Sequence, residues 1–284
     1  MTEGYILNAV QTATPLSVVY RSVQRGNGTV AEIEDDTCLS EKQISDALSG
    51  LRLVRLVEKV DRYCAVDLPV SDRFDDRREF QLSILHNLAL EACPASDDWG
   101  KQSAIIVNFE HLIESNTQFF NRTDQAVADD MDTFQRELNY HPDDGQGDRN
   151  DMNSDKLTNW TRTADLLGLV RQVQGTDYAT APDPWLLHST MRLATEELSD
   201  PSPDNSEHPC IEIQEYFEWM RENFLRISLT DDGEVPEVLA RSFEFLSRSD
   251  AIRLVEAGDA GAVGLSNVPT PRTMDSAANS IEVR

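Results

Sequence analysis

Apolar residues recur three or four positions apart along several stretches of the chain. Three of those stretches run into a pair of short apolar segments split by a polar turn. In the first, Ile44, Ala47, Leu48 and Leu51 share one helical face while Lys42, Ser45, Asp46 and Ser49 face outward. Leu53 to Val60, a turn at Asp61-Arg62, and Tyr63 to Val66 then read as a β-hairpin. The second copy begins at Ser154, continues through Leu166 to Val173, turns at Gly175-Thr176-Asp177, and returns at Tyr178 to Ala181. The third begins at Val235, continues through Ala251 to Ala257, turns at Gly258-Asp259, and is expected to return along Gly261 to Leu265. A recurring unit of this kind decides the fold, since each copy is a small helix-plus-hairpin module.

The remaining elements follow from the same pattern. Leu16, Val18, Val19, Tyr20 and Val23 predict a first helix, stopped at Gly26-Asn27-Gly28. Thr29 is placed to cap a second helix through Val30 and Ile33. Ser40, with Gln43 three residues on, predicts a capping box for the third. Helices are also expected over 79–93, around Ile105 to Ile113, and around Val127 to Leu138. Another should follow from Asp183-Pro184 to Leu198, then one from Ile213 to Leu225 and one over 237–246. Residues 141–153 read as an Asp-rich loop, and 269–284 as a tail ending in a short strand at Ile281 to Val283.

A helix feeding a β-hairpin resembles the winged-helix layout, most clearly over the first 66 residues. The expected fold class is therefore mainly α with small β-hairpins, as tandem winged-helix units joined by a helical middle region. The boundaries read as a winged-helix domain over 1–70, a helical region over 71–145 and a second winged unit over 146–198. A linker over 199–209, a third winged unit over 210–266 and a tail over 267–284 complete the division. Tyr5-Ile6-Leu7-Asn8 ahead of the first unit, the segment Trp160 to Leu169 and the short C-terminal tail are similar to the protein G component of the dpd gene clusters. Those clusters insert 7-deazaguanine bases into DNA and restrict foreign DNA. The resemblance implies an accessory role in a multi-subunit complex and carries over no catalytic residue.

The charge changes the picture of possible partners. The chain carries 51 acidic against 25 basic residues, a net charge of −26, and only 4 of the 25 are Lys. This composition resembles proteins of salt-in halophiles. In about 1 M salt the Debye length falls to about 3 Å, and acidic self-repulsion is screened. Acidity then reports habitat, and any DNA contact must be local and led by Arg.

Chemistry-bearing motifs are sparse. Cys38, Cys64, Cys93 and Cys210 form no C-x-x-C pair, and the five His residues show no zinc spacing, so neither metal nor cofactor is expected. Gly258, Gly261 and Gly264 are spaced like a phosphate loop, but the segment reads as a hairpin, which makes them turn glycines. Walker A, G-x-S-x-G and H-E-x-x-H sequences are absent, and the chain is expected not to be an enzyme. With neither a signal segment nor an apolar run of about 18 residues, it is expected in the cytoplasm, away from membranes.

One stretch stands out against the acidity. Arg52, Arg55, Lys59 and Arg62 fall within eleven residues, running from the end of the third helix to the tip of the first wing. Two readings stand: contacts to duplex phosphates, or ordinary surface charge. The outward face of the third helix, with Glu41 and Asp46, is poor for a major-groove reader, and the second wing's turn holds no cation. The expected function is accordingly a non-enzymatic DNA-associated regulator or accessory subunit. The alternative is a scaffold whose winged helices bind only proteins.

Overall fold

Capping chemistry and apolar spacing build the N-terminal unit as expected. The computed structural model describes residues 14–66, 73–92, 100, 102–140, 151–198, 208–255, 263–265 and 277–284. Helix α1 spans Thr14–Gln24, α2 Val30–Thr37 and α3 Glu41–Leu53. Thr29 and Ser40 each close a capping box, with Glu32 and Gln43 reaching back to the cap backbone. Leu16, Val19, Tyr20, Ile33, Ile44, Leu48 and Leu51 meet in the interior. Strand β1 (Val57–Lys59) then pairs antiparallel with β2 (Tyr63–Ala65).

Helix α4 (Asp76–Glu91), capped by Asp75, buries Phe80, Leu82, Ile84, Leu85 and Leu88. After it come α5 (Ala104–Glu114), β3 (Phe119–Asn121), α6 (Gln125–Glu137) and α7 (Ser154–Leu166), then the hairpin of β4 (Arg171–Gln174) and β5 (Asp177–Ala179). The three strands form an antiparallel sheet in the order β3-β5-β4. The chain continues through α8 (Pro184–Leu198), β6 (Cys210–Glu212), α9 (Ile213–Asn223), α10 (Glu237–Arg248) and β7 (Ile252–Val255). Last come β8 (Val263–Gly264), β9 (Ala277–Ala278) and β10 (Ser280–Val283). Here too the sheet places the last strand in the middle, as β6-β10-β7.

The two later units therefore share one order, helix–strand–helix–helix–strand–strand with the final strand central, apart from the β8–β9 pair inserted before the last strand of the third. The first unit lacks the leading strand, yet Tyr63 N of its last strand donates to Gly28 O at 2.9 Å, at the place that strand would occupy. A Cβ on Gly28 would stand 2.9 Å from the Tyr63 carbonyl oxygen and from the Arg62 Cβ, so the close approach requires glycine. The helix before each hairpin also ends alike. Arg55, Gly168 and Asp250 take left-handed φ values of 56°, 76° and 57°. Around each, paired backbone bonds of the Schellman type close the helix: Arg55 N to Arg52 O with Leu56 N to Leu51 O, and likewise Gly168 with Leu169 and Asp250 with Ala251.

Several sequence expectations are corrected by these pairings. Val263 to Leu265, the described end of the expected return strand, do not pair with β7: β8 pairs with β9, and Leu265 bridges to Val235. The partner of β7 is β10, so Ile281 to Val283 form the central strand of a sheet instead of the end of a tail. Ile281 and Val283 bury their side chains in that strand. Helices α5 and α6, read as part of a helical region over 71–145, pack with α7 in the second unit. Helix α8, assigned to residues 146–198, packs chiefly on α9, α10, β6 and β10 of the third. Residues 141–150, Tyr5 to Asn8, Cys93, Gly258 and Gly261 lie outside the described residues.

One apolar core runs through all three units. Helix α4 joins the first unit to the others: Phe80 meets Tyr20 at 5.6 Å between ring centroids, and Asn87 Nδ2 donates to Val54 O at 2.9 Å. Between the later units, the buried Arg226 donates through Nε to Glu110 Oε2 at 2.9 Å and through Nη1 to Ala92 O at 2.9 Å. Burial pushes the Glu110 carboxyl above its ordinary pKa, and the Arg226 guanidinium opposes that shift. Among the described residues, no helix is long and apolar enough to cross a membrane.

Candidate nucleic-acid interface

The first wing is held against its own unit by an ion pair that spans thirty residues of sequence. Arg62 Nη2 donates to both carboxylate oxygens of Glu32, at 2.6 and 2.8 Å. The same carboxylate accepts from Gly28 N and Thr29 N at 2.9 and 3.0 Å. Glu32 thus closes the α2 capping box and anchors the wing tip together. Hydrogen bonds from Thr29, Gly28 and Arg62 hold its carboxyl below the usual range.

The other three predicted cations lie on the same unit in different states. Arg55 sits at the left-handed position closing α3, and its Nε pairs with Glu91 Oε1 of α4 at 3.0 Å. Lys59, on β1, places Nζ 4.8 Å from the centre of the Tyr63 ring, a cation–π contact. Arg52 projects from the last turn of α3, exposed and without an ion pair among the described residues. The structure therefore brings Arg52, Arg55, Lys59 and Arg62 onto one unit, but carboxylates hold Arg55 and Arg62. Arg52 and Lys59 have no carboxylate partner among the described residues. On α3, Glu41, Lys42, Ser45, Asp46 and Ser49 are exposed, so the helix face beside the wing carries two acids and one cation.

A second cationic place was not legible in the sequence, because its residues come from three separate segments. Arg77 of α4 and Arg171 of β4 line a cleft of about 530 Å³ between the second and third units, beside the exposed ring of Phe119 from β3. Neither arginine forms an ion pair among the described residues. Arg241, on the same wall, is tied to Glu237 and Gln118.

Elsewhere the chemistry is sparse. Cys38 and Cys64 are free thiols, and the described residues hold no cluster of three His, Cys, Asp or Glu side chains fit for a metal. Gly264 lies in strand β8 against Glu234, in strand pairing rather than in a loop ahead of a helix.

No family model and no curated protein matches the chain. Among solved structures, that of magnesium-ion-bound SspB is similar at 11% identity with a TM-score of 0.45, covering 100% of this chain and 83% of that one. The likeness is too slight to carry fold or function across.

Proposed function

We propose that this chain is a non-enzymatic DNA-associated protein, an accessory subunit or regulator of a DNA modification or defence system. The observation that carries the reading is the repeated order helix–strand–helix–helix–strand–strand with the final strand central. It matches the winged-helix order, and modules of that kind dock on DNA through a helix, a wing, or both. In the first unit the contacts to duplex would come from Arg52 and Lys59, whose charges no carboxylate of the described residues holds. Those contacts are to phosphate, and they add affinity without naming a sequence.

The electrostatics limit what two cations can do. A chain of net charge −26 repels a polyanion wherever screening is incomplete, and added salt weakens phosphate contacts by counterion release. Binding by the isolated protein is therefore weak, and protein partners in a complex supply most of the affinity. The expected setting is the cytoplasm of a salt-accumulating cell. A scaffold role is the second reading, favoured by the ion pairs that occupy Arg55 and Arg62. Duplex binding by fluorescence anisotropy in stepped KCl, for wild type and Arg52→Ala/Lys59→Ala, separates the two readings.

A further inference from the structure

The cleft between the second and third units has the parts of a nucleotide site. Strand register sets its floor. Phe119 of β3 and Arg171 of β4 both pair with Ala179 of the central strand β5, so the three side chains stand in one row on the same face of the sheet. That face points away from the core, because the next residue, Phe120, is the buried one. Phe119 is 66% exposed, whereas Phe120, Trp160 and Tyr178 of the same unit are buried. Ala179 between the two leaves a shallow step beside an open aromatic ring. Phe119 and Arg171 sit about 10 Å apart, two strand spacings, before the arginine's own reach is counted.

The charges and hydrogen-bonding groups at this place fit a phosphate. Most arginines of the protein are matched with carboxylates. Arg77 and Arg171 both line the cleft without an ion pair among the described residues, and Asp165 on the same wall feels the charge of both. Burial raises the pKa of Asp165, while a backbone N–H from Gln172 and the two arginines act the other way. Asp183, the other acid on the wall, is already paired with Arg78 at 2.8 Å. The Thr180 hydroxyl, next to Ala179, is a third polar group. The residue is 4% exposed, it lines the cleft, and its Oγ1 has no hydrogen-bond partner. At about 530 Å³ the cleft lies within the range of small-molecule sites.

We infer that this cleft binds a nucleotide unit, with the base against Phe119 and the phosphate between Arg77 and Arg171. The same chemistry is presented by a free mononucleotide and by one residue of a single-stranded nucleic acid. The site shares no residue with the first-unit wing, since its lining comes from α4 and from the second and third units, and it stands if duplex binding by the wing fails.

The test is fluorescence anisotropy of a 5′-labelled thymidine tetranucleotide on the full chain in stepped KCl, with competition by dTMP and by inorganic phosphate. Phe119→Ala and Phe119→Leu should each weaken binding about tenfold, since a stacked base depends on the aromatic face and not only on apolar area. Arg77→Gln and Arg171→Gln should each weaken it and each lower the salt slope by about 0.7. Both Phe119 and Arg171 are exposed, so these variants keep the fold. Arg52→Ala/Lys59→Ala should leave tetranucleotide binding unchanged. Equal affinity for dTMP and tetranucleotide identifies a free nucleotide as the ligand, and preference for the tetranucleotide identifies a strand. Failure of both to bind overturns the inference. So does competition by inorganic phosphate as strong as by dTMP, or wild-type affinity in the Phe119 and Arg171 variants.

Discussion

Arg55 shows how one residue serves local geometry before any ligand. Its left-handed φ of 56° closes α3 and swings the chain into the wing, a position that favours glycine. The conformation costs an L-residue about 1–2 kcal/mol. Glycine carries a chain-entropy cost of about 0.5–1 kcal/mol, and the pair with Glu91, whose Arg55 side stays in solvent, contributes about a few tenths. Arg55→Gly should therefore stabilise the protein by about 0.5 kcal/mol, raising the midpoint of chemical denaturation in molar KCl. A fall of 1 kcal/mol or more would show that the Glu91 contact, and not the turn, dominates at this position. The four wing cations were legible as a cluster because they lie within eleven residues. Their pairing was not, because Glu32 stands thirty positions before Arg62 and Glu91 thirty-six beyond Arg55.

At the scale of elements, local signals were legible and long-range strand pairing was not. The cap at Thr29, the capping box at Ser40 and the apolar stripe of α3 each follow from spacing within one helix. Strand β3 is only three residues, Phe119-Phe120-Asn121, too short to show alternation, and without it the second unit loses its leading strand. The third sheet misled the reading in another way. Gly261 to Leu265 is near β7 in sequence and looks like a return strand, while the true partner lies some thirty residues on, beyond anything hydrophobic periodicity reports. Ile281 is fully buried in that central strand, paired with Ile211 on one side and Leu254 on the other. Ile281→Ala should cost about 2–5 kcal/mol. Glu282→Ala, partly exposed on the same strand, should cost less than about 0.5 kcal/mol by the same measurement. Equal, small losses from both would mean that β10 is not part of the folded core.

Over the whole molecule, charge sets the conditions under which the fold and its contacts exist. A net charge of −26 on 284 residues repels itself, and only screening on the scale of side-chain spacing relieves it. Thermal unfolding followed by circular dichroism should show a midpoint rising steadily from dilute to molar KCl; a midpoint independent of KCl would remove the halophilic account of the acidity. The same salt weakens phosphate contacts, so DNA association must survive conditions that oppose it. Anisotropy of a labelled duplex across a KCl series, for wild type and Arg52→Ala/Lys59→Ala, therefore tests the central claim most directly. DNA association predicts measurable duplex binding whose affinity falls with salt. It also predicts that the double variant weakens all sequences alike and lowers the slope by about two units. No binding at any salt at which the protein is folded, or an unchanged slope in the double variant, would contradict DNA association through the first wing.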